Sequence, residues 1–302
     1  MRVYSADQVH AALPWGPLVQ ALEAAFAAGA EVPVRHAHAL SAQDTLLLMP
    51  AWNPEVIVLK LVTVTPQAAS TVQATVLVCE RSSGEPLAVL DGEALTLRRT
   101  AATSALAARH MARADARTLL VVGSGRLAGW MARAHAALRP ELHDVLVWGR
   151  RAEAASALAG TLAGEGLPAR AVADLEAAAR RADIVCCATT SHEPLVRGAW
   201  LAPGTHLDLV GGFKPDMREV DDDAVTRSRI VVDTYAGALK EAGDLVQPLQ
   251  RGVLAREQIE AELAEVLRER QPVRREAGDI TLFKSVGTGL EDLAAAQLVV
   301  AR

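Results

Sequence analysis

Three cysteines are few for 302 residues, and none stands in a pattern that a metal or a disulfide uses. Cys79, Cys186 and Cys187 all fall in apolar, strand-like runs. An adjacent pair does not close a relaxed disulfide, and C-x-x-C and H-x-x-x-H spacings are missing. The three thiols therefore read as small core residues in a reducing compartment, and no metal is expected. Apolar runs of membrane-spanning length are missing too, as is a charged-then-apolar leader, so the expectation is a soluble, cytoplasmic protein without a membrane partner. There is no excess of basic charge: the net charge of −5 argues against nucleic acid as the main partner but leaves room for a local basic pocket. Repeats and low-complexity linkers do not occur.

What the chain has is apolar mass. Apolar residues make up 51% and charged residues 22%, a globular balance in a chain long enough for two domains. The organising stretch is Leu119-Leu120-Val121-Val122-Gly123-Ser124-Gly125-Arg126-Leu127-Ala128. Four apolar residues read as a buried strand, followed by a G-x-G-x-x-A turn into a helix. Gly123 permits the tight turn, Gly125 lets a pyrophosphate approach the backbone, and Ala128 packs helix against strand. The phosphates would meet free N–H groups at the helix N-terminus. Leu127, Met131, Ala134 and Leu138 continue at helical spacing, and residues 144–148 supply the next strand.

The pattern changes along the chain. Ser5 to Gln8 reads as a capping box, and Pro17 as the start of a second helix. Strands are expected over 32–40, 45–49, 56–64, 71–78 and 86–90, with a hairpin turn at 82–85, then a long Ala-rich helix over 93–111. From there strands (118–122, 145–148, 169–172, 184–188, 206–209, 230–232) alternate with helices, with further helices over 257–270 and 290–300. The fold class is α/β: a doubly wound parallel Rossmann sheet plus an α+β substrate-binding and dimerisation domain. Residues 1–113, completed by 279–302, form the latter; 114–278 form the former.

Three basic residues in the first domain sit in apolar surroundings: Arg35 after Val32-Pro33-Val34, Lys60 within Val56–Val62, and Arg99 on the Ala-rich helix. Each taken alone fits a solvated face. Together, beside a dinucleotide fold, they fit a pocket for a carboxylate, which Arg grips bidentately and Lys meets as a point charge or acid.

With these landmarks the chain resembles the ornithine cyclodeaminase/mu-crystallin family over nearly its whole length. The matching residues include Val34-Arg35, Met49-Pro50, Leu59-Lys60-Leu61-Val62, Thr71-Val72-Gln73-Ala74, Gly84-Glu85-Pro86-Leu87-Ala88, Arg99-Thr100-Ala101-Ala102, Gly123-Ser124-Gly125, Trp148-Gly149-Arg150, Val210-Gly211-Gly212 and Phe283-Lys284-Ser285-Val286-Gly287. The resemblance implies an NAD(P)-dependent oxidoreductase of small amino or imino acids that pairs as a homodimer through the first domain. It implies substrate contacts at Arg35, Lys60, Arg99 and Val286, with Lys60 catalytic. It implies cofactor contacts at Thr71, Arg99, Gly123, Ser124, Gly125, Arg126, Leu127, Ala128, Gly149, Arg150, Arg151, Thr189, Val210, Gly211, Gly212 and Phe213.

Two departures shape the expected chemistry. Leu127 stands where the family usually has Gln, and Phe213 stands where ornithine cyclodeaminases place a catalytic aspartate. Asp216 and Glu219 are the nearest acids available to replace it; Pro215 stiffens their loop, and Glu219 is expected to start the next helix. The segments 214–221 and 238–244 resemble the ketimine-reductase branch. The expected activity is reduction of pyrroline-2-carboxylate or piperideine-2-carboxylate to L-proline or L-pipecolate. Ornithine cyclodeaminase, an alanine-dehydrogenase-like enzyme and a mu-crystallin-like binder are the rivals. At the end of the second strand no carboxylate stands ready for ribose hydroxyls; Arg150 and Arg151 stand there instead, so NADPH is expected to be preferred, with NADH possible.

Overall fold

The computed structural model describes every residue except Glu31, Ala69, Ser70, Arg270, Gln271 and Arg302. The chain divides into two compact units, Met1–Thr103 with Gly287–Arg302, and Ser104–Val286.

The first unit opens with β1 (Arg2–Tyr4), α1 (Ala6–Ala12) and α2 (Trp15–Ala28). The capping box before α1 forms: Gln8 N–H donates to the Ser5 hydroxyl, and Ser5 N–H to the Gln8 side chain at 2.9 Å. α2 begins at Trp15, two residues before Pro17, with its Leu18, Leu22 and Phe26 stripe buried. Then come β2 (His36–Ala39), β3 (Thr45–Trp52), β4 (Val56–Val64), β5 (Val72–Glu80) and β6 (Pro86–Asp91). They form one six-stranded sheet in the order β1-β6-β5-β4-β3-β2, antiparallel except for the parallel β1–β6 pair. The strand expected over 32–40 shrinks to four exposed residues, leaving Arg35 just outside it. On β4, Val58, Lys60 and Val62 are buried. The period-2 alternation of a strand puts the lysine on the face of its apolar neighbours. α3 (Gly92–Met111) follows, capped by Asp91, whose carboxylate accepts from Ala94 N–H at 2.8 Å.

The second unit holds β7 (Thr118–Val122), α4 (Arg126–Leu138), β8 (Asp144–Trp148), α5 (Ala152–Gly164), β9 (Ala169–Ala171), α6 (Leu175–Arg181), β10 (Ile184–Cys187) and β11 (His206–Leu209). It continues with α7 (Asp222–Thr226), β12 (Ser228–Val232), α8 (Tyr235–Glu241), α9 (Gly243–Gln250), β13 (Ile259–Glu262), α10 (Leu263–Glu269) and β14 (Ile280–Lys284). Eight parallel strands run β13-β12-β14-β11-β10-β7-β8-β9. Every residue of β7, β10, β11 and β14 is buried, as parallel strands covered on both faces require. Strand order reverses at the β10–β7 pair, the switch point beside which ligands of such sheets bind. Among the described residues no helix is long and apolar enough to cross a membrane.

Two corrections to the sequence reading arise here. The helix expected over 257–270 is a 3₁₀ turn, the strand β13 and then α10; residue 270 lies outside the described residues. Residues 279–286 do not belong with the first unit, because β14 is inserted between β11 and β12 with a full ladder to each. The division near residue 113 likewise falls earlier, between Thr103 and Ser104 within α3. The thiols of Cys186 and Cys187 are free and buried on β10, and burial holds both well above the usual thiol range, as inert core residues should be. His135, Cys186 and Asp208 bring ligand-type atoms within 4.8 Å of one another. The Asp208 carboxylate, however, is engaged by Ser104 Oγ at 2.8 Å and His135 Nε2 at 2.9 Å.

The last helix, α11 (Gly289–Val300), rejoins the first unit and packs on α2, β3 and β4. Thr288 caps it, with Glu291 closing the box. Gly289 allows the close approach: a Cβ there would stand 3.2 Å from the Pro50 carbonyl. Behind this cap Asp292, fully buried, lies 2.7 Å from Lys60 Nζ and 3.0 Å from Arg99 Nε. One carboxylate thus serves two buried cations. Asp292→Ala should lower the stability of the full chain by about 3–5 kcal/mol, because it leaves the buried Lys60 without its carboxylate and removes one of the two that Arg99 meets. Urea unfolding measures this, and an unchanged midpoint would leave the pair no stabilising role.

Candidate active site

In the first unit the sequence-predicted cations converge. Lys60 projects from the middle of β4, where it faces Met49 of β3 and Val76 of β5 in the ladder. Arg99 lies about two helical turns into α3, its Nη1 donating to Glu291 and its Nε to Asp292. Arg35 Nη2 donates to the Gly287 carbonyl at 2.9 Å. Gly287 is obligatory on two counts: its φ of +83° suits glycine, and a Cβ would meet Arg99 Nη1 at 2.7 Å. Burial, reinforced by the charges of Arg99 and Arg35 and opposed by Asp292, lowers Lys60 to a pKa of about 8. Lys60 therefore changes charge near physiological pH, where an unburied lysine would not.

Two carboxylates enter this cluster: Glu291 pairs with Arg99, and Asp292 pairs with both Arg99 and Lys60. The acidic pair was missed from the sequence, though two consecutive acids at the start of an otherwise apolar helix are themselves a signal.

In the second unit, Gly123 follows β7 with φ +131°, and a Cβ would strike the Ala188 carbonyl at 2.6 Å. Gly125 is the N-cap of α4 and makes no side-chain cap, so the first-turn N–H groups have no competing side chain there; the space around its Cα is open. Ala128 is buried against the strand, Arg126 is exposed and Leu127 half-buried. Gly149 is required because Ser124 Oγ occupies the place of its Cβ. Gly123, Ser124, Gly125, Gly149, Arg150, Arg151 and Thr189 line one cleft of about 270 Å³ at the switch point. No acidic residue lines it, and both arginines are exposed. A cradle of missing Cβ atoms over an uncapped helix start fits a dinucleotide.

Val210, Gly211 and Gly212 are buried after β11, and Phe213 is 39% exposed. A Cβ on Gly211 would land 2.2 Å from Glu219 Oε1, and one on Gly212 (φ +56°) 2.4 Å from Asp244 Oδ2. Beneath this turn lies a buried polar cluster that the sequence reading did not assemble. Glu219 Oε1 accepts from Thr189 N–H at 2.7 Å and Thr189 Oγ at 2.9 Å. Asp244 Oδ1 accepts from the Glu219 and Val220 N–H groups at 2.7 and 3.1 Å. Lys284 pairs with Asp244 at 3.2 Å and donates to the Gly211 carbonyl. Burial, with Asp244 adding to it and Lys284 opposing, pushes Glu219 up to about 7. Glu219 does not start the next helix as expected: α7 begins at Asp222 behind the N-cap Asp221, and Glu219 belongs to the stretch ahead of it. Asp216 is exposed, 3.4 Å from His192.

Val286 closes the second unit, its N–H donating to Asp233 at 2.8 Å. Thr71 belongs to the first unit, exposed ahead of β5, its carbonyl accepting from Thr65 N–H at 2.8 Å.

Comparison with known proteins agrees with this arrangement. The profile of the ornithine cyclodeaminase/mu-crystallin family matches residues 2–302. A delta(1)-pyrroline-2-carboxylate reductase of Colwellia psychrerythraea is 35% identical, over 99% of this chain and 98% of that protein. The structure of the Thermococcus litoralis delta(1)-pyrroline-2-carboxylate reductase in complex with NADH and L-proline superposes with a TM-score of 0.94 at 31% identity, covering 100% of this chain and 97% of that one. An archaeal alanine dehydrogenase dimer with bound NAD gives a TM-score of 0.93 at 26% identity, covering 100% and 95%. The chain belongs to the ornithine cyclodeaminase/mu-crystallin family.

Proposed function

We propose that this NAD(P)-dependent oxidoreductase reduces small cyclic imino acids, pyrroline-2-carboxylate or piperideine-2-carboxylate, to L-proline or L-pipecolate, with NADPH preferred over NADH. The observation that carries the reading is the convergence of Arg35, Lys60 and Arg99 in one unit, three cations of the kind that hold a carboxylate, with Lys60 and Arg99 buried. The reductase activities of the Colwellia and Thermococcus relatives support it. A homodimer is part of the same reading, supported by the dimeric archaeal relative.

In this mechanism Arg35 and Arg99 grip the carboxylate, and Glu291 and Asp292 hold Arg99 so that the grip is formed before substrate arrives. Lys60, protonated below about 8, supplies a proton to the imine nitrogen or holds it protonated, which makes the imine carbon more electrophilic. Val286 offers an apolar contact to the ring. The Gly123–Ala128 turn, Thr71, Gly149, Thr189 and the Val210–Phe213 turn hold the cofactor, and Arg150 and Arg151 meet its 2′-phosphate. When bound, the nicotinamide supplies the hydride that reaches the imine carbon. Phe213 carries no proton and keeps its side of the site dry.

Purified protein offered pyrroline-2-carboxylate and NADPH should oxidise the cofactor and form proline, while L-ornithine with NAD should release no ammonia. Ammonia release without imine reduction would overturn the proposal. The value of kcat/KM for reduction should fall as pH rises through about 8, because the lysine loses its proton there and the free enzyme governs that ratio. Lys60→Met should be slow and lack this limb; a wild-type limb surviving in the variant would remove Lys60 from the proton step. Arg150→Ala should erode the preference for NADPH, whereas equal efficiency with the two cofactors in wild type, unchanged in the variant, would refute the 2′-phosphate contact.

A further inference from the structure

A fully buried carboxylate has no part in the chemistry above, yet it lies directly behind the cleft. Glu219 Oε1 takes both polar hydrogens of Thr189, from its backbone N–H at 2.7 Å and its hydroxyl at 2.9 Å. The Thr189 hydroxyl in turn accepts from Ser191 N–H at 3.2 Å. With the hydroxyl fixed, the Thr189 methyl is left toward the Gly123 turn, where a Cβ on Gly123 would stand 3.5 Å from it. The same carboxylate fills the space that a side chain on Gly211 would need. On the far side of that turn, Lys284 donates to the Gly211 carbonyl, and Asp244 fixes the Glu219 backbone through its N–H. Two rim segments of the cleft, the one after β10 and the one after β11, are therefore tied to one buried group.

We infer that Glu219 is a positioning residue for the cofactor cleft: it fixes the Thr189 rotamer and seats the Gly211 turn, so that the rim is formed before the dinucleotide arrives. This rests on the dinucleotide reading of the cleft. The cost of burying a carboxylate, near Asp244 and offset in part by Lys284, is sustained because the hydrogen bonds it accepts are charge-assisted and specific in direction. A glutamine retains a carbonyl oxygen that accepts both Thr189 bonds; an alanine leaves the Thr189 N–H and hydroxyl buried without an acceptor.

The test is titration of the full-length protein with NADPH and with NADH, without substrate, followed by nicotinamide fluorescence. Failure of wild type to bind either cofactor would overturn the dinucleotide reading itself, independently of Glu219. Given wild-type binding, Glu219→Ala should weaken cofactor Kd by about tenfold or more, and raise the cofactor KM with kcat changed by no more than about threefold. Glu219→Gln should restore Kd to within about threefold of wild type. Thr189→Val, which deletes the hydroxyl alone, should weaken Kd by several-fold, and its effect should vanish in the Glu219→Ala background. Should Glu219→Ala fail to fold, the Glu219→Gln and Thr189→Val titrations decide the matter. Wild-type affinity in Thr189→Val, or a Glu219→Gln variant as weak as the alanine is expected to be, would overturn the proposal.

Discussion

The Asp292 carboxylate is the constraint on which the first unit depends. A lysine in the middle of a central strand and an arginine on an Ala-rich helix carry charges into a region without water, where neither persists without a partner. No acid in the sheet supplies one. The partner comes from α11, the last helix of the chain, 232 positions away from Lys60 in sequence. The apolar face of α11 drives it onto α2, β3 and β4. The acidic start of the helix then decides its orientation, since only a first turn lying over β4 lets Asp292 reach Lys60 and Arg99 together. Negative charge is favoured at that helix end in any case, so the macrodipole and the ion pairs act in the same direction.

Legibility in the sequence followed the range of each signal. Lys60 stood out because a charge in an alternating apolar strand is a local anomaly, and the strand's period fixes its face. Gly123 and Gly125 stood out because turn, helix start and following strand occupy one short segment. Lys284 is the same anomaly as Lys60, a lysine ending the apolar run Ile280–Lys284, but that run was not read as a strand. Its neighbours in the sheet, β11 and β12, are not neighbours in the chain order, so no hairpin or crossover advertised it. β13 was hidden differently: Ile259-Glu260-Ala261-Glu262 is short and polar, and only pairing with β12 makes it a strand. The pairings of Asp292, Asp244 and Glu219 have no local signal, because each finds its cation or donor on another segment.

The two glycine turns of the second unit look alike in sequence and differ in cause. At Gly123 the limit is backbone: the Ala188 carbonyl of the adjacent strand's end leaves no room for a Cβ. At Gly211 the Thr189 carbonyl and Glu219 Oε1 each stand 2.2 Å from the place of a Cβ, and at Gly212 Asp244 Oδ2 stands 2.4 Å from it, so buried carboxylates add to the backbone limit. The first turn is the usual opening of a nucleotide cradle. The second is crowded by buried carboxylates as well, and so ties the shape of the rim to Glu219, Asp244 and Lys284. Burial, with the charge of Asp244 adding to it and Lys284 opposing, pushes Glu219 above the usual carboxylate range, to about 7.

Phe213 and Lys60 together argue for the direction of the proposed chemistry. Cyclodeamination must remove and return protons at an amine while ammonia leaves, which calls for a group that both takes and gives at the turn after β11. The side chain there is a phenyl ring. Asp216 is out in solvent, and Glu219 has its Oε1 occupied by both Thr189 donors behind the turn. Imine reduction asks only for one proton and one hydride on a substrate that is already electrophilic. Lys60 suits the first requirement, since burial and two neighbouring guanidinium groups bring its pKa to about 8, close to that of a group that must hold a proton at neutral pH and give it up readily. Asp292, its carboxylate 2.7 Å from the amine, opposes that lowering. The interaction that anchors the last helix is thus also one that favours the protonated lysine.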